Sequence, residues 1–216
     1  STQSRSSAAS DVYKRQSSYR VTPFALAKGF RLVGSSDGIK PKVILDDWWK
    51  IAEGSYITSL EFENIEFQHA SNNKYFMNAD KSFTLESVSF VNCDFIGLTR
   101  GFWRHQQATG KHIMNFEVEG CRFDKCGWQT GSYGLVDLRS FNDPTSYDQI
   151  DKAAFRNCTF SRDNDGTAGF GWGNLFYAPY VDKPIQLEFK NITIYNYSLN
   201  KRLINISSAV GSELTI

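Results

Sequence analysis

The sequence has no apolar run of the roughly 18 residues that a membrane-spanning helix requires, so no span is expected. It has almost no net charge. Lys and Arg number 24 against 23 Asp and Glu, a balance of +1 at pH 7, which gives no bulk field toward nucleic acid or an acidic membrane. Cysteine is scarce, with four residues in 216. No two of them stand at the C-x2-C spacing of a zinc site, and no His lies at ligand spacing from the nearest pair, Cys121 and Cys126. A helical apolar period is also missing. What the chain has is aromatic residues, 15% of the total, within an ordinary 41% hydrophobic content, enough for one domain with a sizeable core.

Residues 1–16, "STQSRSSAASDVYKRQ", are polar, lack periodicity and resemble a translated sequencing adapter. They are expected to be foreign to the fold, with 17–27 a linker or disordered lead-in. The last residues, "GSELTI", stop inside a strand-like pattern. A domain over 28–216, incomplete at its C-terminus and part of a fragment truncated at both ends, is the expectation.

A motif recurs along the chain. Phe62-Glu-Asn64-Ile65-Glu-Phe67 returns as Phe90-Val-Asn92-Cys93-Asp-Phe95, then as Val118-Glu-Gly120-Cys121-Arg-Phe123, Phe155-Arg-Asn157-Cys158-Thr-Phe160 and Phe189-Lys-Asn191-Ile192-Thr-Ile194. The third positions lie 28, 28, 37 and 34 residues apart. On each side of the Asn or Gly, apolar residues alternate with polar ones, which means two strands meeting at a bend. Asn and Gly suit that bend because both tolerate left-handed backbone geometry.

A further strand follows each bend: "YFMNAD" (75–80), "GFWRHQ" (101–106), "GLVDLR" (134–139), "NLFYAP" (174–179) and "RLINIS" (202–207). Aligned, these put Met77, Trp103, Val136, Phe176 and Ile204 in one inward column, and Ala79, His105, Leu138, Ala178 and Ile206 in another. Asn78, Arg104, Asp137, Tyr177 and Asn205 then form an outward row, with Asp80, Gln106, Arg139, Pro179 and Ser207 beside it. Short strands, variable loops and no helical period predict an all-β parallel β-helix, a solenoid of about five to six coils. An immunoglobulin-like sandwich is the alternative, but it would not need the same motif in every unit.

The strand–Asn–strand coils with inward Cys, Ile and Phe resemble right-handed, single-stranded, pectin-lyase-like parallel β-helices. "FRLVGSSDGIKPKVIL" (30–45) followed by "ITSLEFENIEF" (57–67) looks like the first coils of such a domain. The resemblance covers about 28–216 and is nearest to an uncharacterised β-helix family of secreted Bacteroidetes-type proteins linked with polysaccharide use. It implies an extracellular or bacterial cell-surface location and a polysaccharide partner. A monomer is expected.

Each chemically suggestive group has a structural reading beside the functional one. Cys93, Cys121 and Cys158 fall in one inward column with Ile65 and Ile192, and are expected to be buried free thiols, although coils this close would sterically admit a disulfide. Asn64, Asn92, Asn157 and Asn191 are expected to form an amide ladder along the bends. The sequon patterns at Asn157 and Asn191 are then accidental. His105 is expected to be a buried histidine rather than a catalytic one.

The outward row is the candidate binding strip: Arg104, Asp137 and Tyr177, with Gln106 and Arg139 parallel to it. An arginine can hold a uronate carboxylate bidentately; a solvated Arg–Asp pair on a sheet face is the plainer reading. Trp128, Tyr133, Phe170 and Trp172 lie in Gly-rich loops and suit either stacking on sugars or capping the solenoid. "RDNDG" (162–166) lacks the distal ligands of a calcium loop and is expected to be a turn.

These residues favour an acidic, pectin-like polysaccharide ligand and no catalysis. The pectate-lyase motifs W-x-D-H and R-x-P-x-x-R, and the clustered Asp with Gly-His-Gly of polygalacturonases, are not found. The alternative is a divergent lyase with Arg104 or Arg139 as base and Asp137 as a calcium or orienting group. No cofactor is expected otherwise. A structural, adhesin-like solenoid is the remaining reading.

Overall fold

The computed structural model describes residues 18–35, 38–71, 74–106, 110–127, 134–138, 149–161, 174–178, 183–195, 202–206 and 212–216. These residues form an all-β structure in which every paired strand runs parallel to its neighbour, in stacked sheets arranged as in a parallel β-solenoid. No helix among them is long and apolar enough to cross a membrane.

Strands are labelled in chain order. One sheet stacks β1 (Ser18–Val21), β4 (Lys42–Leu45), β7 (Glu66–His69), β10 (Asp94–Ile96), β13 (Arg122–Asp124), β16 (Thr159–Ser161) and β19 (Thr193–Tyr195). A second, built mostly of longer strands, stacks β3 (Phe30–Val33), β6 (Ser55–Glu63), β9 (Phe83–Val91), β12 (Lys111–Glu119), β15 (Gln149–Arg156), β18 (Gln186–Lys190) and β21 (Glu213–Thr215). The third holds β8 (Tyr75–Ala79), β11 (Gly101–His105), β14 (Gly134–Asp137), β17 (Asn174–Ala178) and β20 (Arg202–Ile206). A two-stranded sheet pairs β2 (Ala25–Leu26) with β5 (Lys50–Ile51).

The lead-in expectation needs correction. Residues 18–21 and 25–26 are strands β1 and β2, and β1 pairs in register with β4. Four residues of alternation are too short to stand out in sequence. Their strand state comes from the ladder they join, not from local propensity.

The recurring motif places its residues as the alternation requires. Asn64, Asn92, Asn157 and Asn191 all have φ between 50 and 55°, the left-handed conformation an L-residue seldom adopts outside Asn and Gly. Gly120 takes the same place with φ 62°. The Asn92 amide donates to Asn64 Oδ1 at 2.7 Å, and the Asn191 amide to Asn157 Oδ1 at 2.9 Å. At the rung where Gly120 offers no side chain, the Asn157 amide turns to Glu119 instead. The backbone N–H of Gly34 donates to Glu63 O at 2.8 Å, as that of Asn64 does to Val91 O at 3.0 Å. Gly34 thus holds the equivalent ladder place one coil earlier, without the left-handed φ of the motif positions.

The Phe positions on both sides of the bend make the core. Phe67, Phe95, Phe123 and Phe160 stack in sequence at 5.5, 4.9 and 5.0 Å with planes within 14° of parallel. Phe62 stacks on Phe90 at 5.0 Å, and Phe155 on Phe189 at 5.3 Å. Parallel in-register pairing puts like residues one strand spacing apart, about 4.8 Å, so identical rings stack face to face. Between the two columns lie Phe76 and Phe102, fully buried and 5.7 Å apart. Sequence alternation did not single these out because each adjoins another buried residue, Met77 or Trp103.

The long strands break period two at one place. Ile57 and Leu60 are buried with two less buried residues between them, and the same holds for Leu85/Val88, Ile113/Phe116 and Ile150/Ala153. Each strand therefore carries an outward doublet: Thr58-Ser59, Glu86-Ser87, Met114-Asn115 and Asp151-Lys152. The doublets lie side by side in the ladder.

Candidate functional site

The outward row on the third sheet has the register read from the sequence. Arg104 pairs with Asn78 on one side and Asp137 on the other; Asp137 pairs with Tyr177, and Tyr177 with Asn205. Its accessibility differs from the expectation. Arg104 is 5% exposed, Asn78 3% and Asp137 0%, while Tyr177 is half-buried. The guanidinium of Arg104 lies 5.4 Å from the ring centroid of Tyr75, a cation–π distance. Tyr75 is itself fully buried over Gly101, where a Cβ would stand 2.7 Å from the ring. Gln106 accepts a hydrogen bond from the Asn78 amide at 2.9 Å. A residue that points away from the core is thus not necessarily open to a polymer. Arg139, Trp128, Trp172, Tyr133, Phe170 and the 162–166 stretch lie outside the described residues.

His105 is fully buried, edge-on to Phe83 at 5.8 Å. Desolvation and the nearby Lys111 charge push its pKa well below the usual histidine range, so the ring stays neutral within the core.

Cys93, Cys121 and Cys158 are buried and free, one above another. Each thiol donates to a carbonyl of the preceding coil: Cys93 to Phe62 at 3.4 Å, Cys121 to Phe90 at 3.4 Å and Cys158 to Val118 at 3.5 Å. Cys126 does the same to Phe95 at 3.3 Å, after a second bend at Lys125 with φ 53°. Burial pushes the Cys126 thiol up from 9.0 to about 12 and the Cys158 thiol to about 11. With the folded values above the unfolded one, the stability these thiols contribute is complete below pH 9.0 and is lost as pH rises through about 11 to 12. Because all four thiols are buried, native protein at about pH 8 should react with dithionitrobenzoate only as fast as it unfolds, and all four should appear in denaturant. Rapid titration of any of them in the native state would show that the column is not enclosed.

The doublet corner forms an open groove of about 450 Å³. Asn115 on β12, Lys152 on β15, Gln186 on β18 and Glu213 on β21 occupy consecutive paired positions across it, and Asp151 lines it beside them. Met114 and Pro184 supply its apolar surface. The Asp151 carboxylate is held from outside the groove: it accepts from the Gln149 amide and lies 2.9 Å from His112 Nε2. On the neighbouring strand, Glu86 accepts the hydroxyl of Tyr56, an aromatic residue 60% exposed. None of these residues stood out in the sequence reading. The signal was present as a second repeat, Ile-Thr-Ser-Leu, Leu-Glu-Ser-Val, Ile-Met-Asn-Phe and Ile-Asp-Lys-Ala, with the same spacing as the Asn motif.

Among the described residues no group of three or more His, Cys, Asp or Glu side chains could hold a metal ion. No protein-family model, curated protein or solved structure matches the chain.

Proposed function

We propose that the chain is a right-handed, pectin-lyase-like β-helix of five to six coils, secreted or displayed on a bacterial cell surface, that binds polysaccharide without cutting it. The observation that supports this reading is the groove at the doublet corner. Its hydrogen-bonding side chains repeat once per coil along the stacking direction, about 4.8 Å apart. A polymer of similar units laid along that direction meets the same kind of partner at every step. The apolar surface of Met114 and Pro184 suits the C–H face of a pyranose.

The lyase alternative takes Arg104 or Arg139 as base and Asp137 as a calcium or orienting group; Arg104 and Asp137 are buried, which disfavours them in an open cleft, and Arg139 lies outside the described residues. The burial of Arg104 likewise takes one of the two arginines of the outward strip from the case for an acidic, pectin-like ligand.

Affinity electrophoresis of the full chain through gels containing single polysaccharides tests the reading. Retardation by at least one polymer is expected. Lys152→Ala and Gln186→Ala should each weaken it roughly fivefold, the effect of losing about 1 kcal/mol of hydrogen bonding, with thermal unfolding unchanged. No retardation by any polymer would sink the proposal. Release of unsaturated products absorbing in the near ultraviolet would favour the lyase reading instead.

A further inference from the structure

The charge of the groove has a consequence for the kind of polymer it accepts. We infer that it takes a neutral polysaccharide and disfavours a polyuronate, an inference that rests on the binding reading above. Two carboxylates, Asp151 and Glu213, line the groove against one cation, Lys152, among the described residues. Glu86 continues the acidic side onto β9, next to Ser87, which pairs with Asn115.

An ionised carboxylate is an acceptor only, with two oxygens and about four lone-pair sites. Vicinal hydroxyls of a neutral sugar supply two donors to it, and such charge-assisted bonds are about twice as strong as neutral ones. The amides of Asn115 and Gln186 can donate to and accept from the same hydroxyls. Gln149 and His112 hold Asp151 from a neighbouring position on its own strand and from the adjacent strand. The carboxylate is therefore pre-positioned, and less side-chain freedom is lost on binding.

A uronate offers a carboxylate of its own, which has no proton to give. It finds Lys152 as a partner, but it also meets Asp151 and Glu213 as like charges. Like-charge juxtaposition at a binding surface acts mainly against the wrong ligand.

The test is isothermal titration of the full chain with a soluble neutral β-glucan, a neutral galactan and polygalacturonate, at low and at physiological salt. At least one neutral polymer should bind about tenfold or more tightly than polygalacturonate at low salt, with the gap narrowing as salt screens the carboxylates. The double variant Asp151→Asn, Glu213→Gln keeps the side-chain shapes and removes both charges. It should weaken neutral binding about tenfold and bring the two polymer classes within about threefold of each other. Circular dichroism of the variant checks its fold. Polygalacturonate binding as tightly as the neutral polymers overturns the inference and leaves the binding reading in place. A double variant that folds and keeps the original preference overturns the assignment to these carboxylates. Binding to none of the polymers overturns the reading beneath.

Discussion

Phe95→Ala should lower the free energy of unfolding by about 3–5 kcal/mol. The Phe95 ring is fully buried and stacks between Phe67 and Phe123, with Phe76, Phe90 and Phe102 packed around its edges. Truncation removes the transfer free energy of the ring. It also leaves a cavity that cannot collapse, because the strands on both sides are fixed by their ladders. Denaturant unfolding followed by far-ultraviolet circular dichroism measures the effect as a shift in midpoint at constant slope. Phe95→Leu keeps most of the volume and should cost much less, about 1.5 kcal/mol or under. A Phe95→Ala loss below about 1 kcal/mol would mean that the stacked column contributes little and that the ladders alone hold the coils.

Asp137→Ala should also act on stability, by about 3–5 kcal/mol, and not on polysaccharide binding. Asp137 is fully buried on β14, where its backbone stands opposite that of Arg104, itself 5% exposed. A carboxylate taken out of water persists only where neighbouring groups compensate its lost hydration. Truncating it to a methyl group leaves the groups that compensate it buried without their partner. Asp137→Asn should be milder, since an amide of the same shape retains polar contacts. Denaturant unfolding and affinity electrophoresis on the same samples separate the two roles. A variant as stable as the parent that no longer binds polysaccharide would return the binding site to the Arg104 strip and refute the groove.

The repeat was legible in the sequence because stacking imposes one environment on one position in every coil. A place at the bend that demands left-handed backbone selects Asn or Gly each time. A place between two rings selects another ring. The columns of Cys93, Cys121 and Cys158, and the register of Arg104 with Asp137, follow from the same constraint.

Accessibility was not legible in this way. Alternation tells which side of a strand a residue leaves from, but not what lies beyond it. Asn78, Arg104 and Asp137 leave the third sheet on the expected side and are still enclosed. The groove escaped notice for a related reason. Its side chains come from four coils and meet only when the corners are stacked, and in any single coil Asp151-Lys152 is just a polar pair between two apolar residues.

By itself, then, the sequence determined a coiled stack of short parallel strands, its bend residues, its thiol column and the neighbours of each strand within the repeated motifs. These depend on local geometry repeated at a steady interval. Only the tertiary structure decided which polar residues stay in contact with solvent. That depends on how separate coils pack around one another, and no periodicity within a chain encodes it.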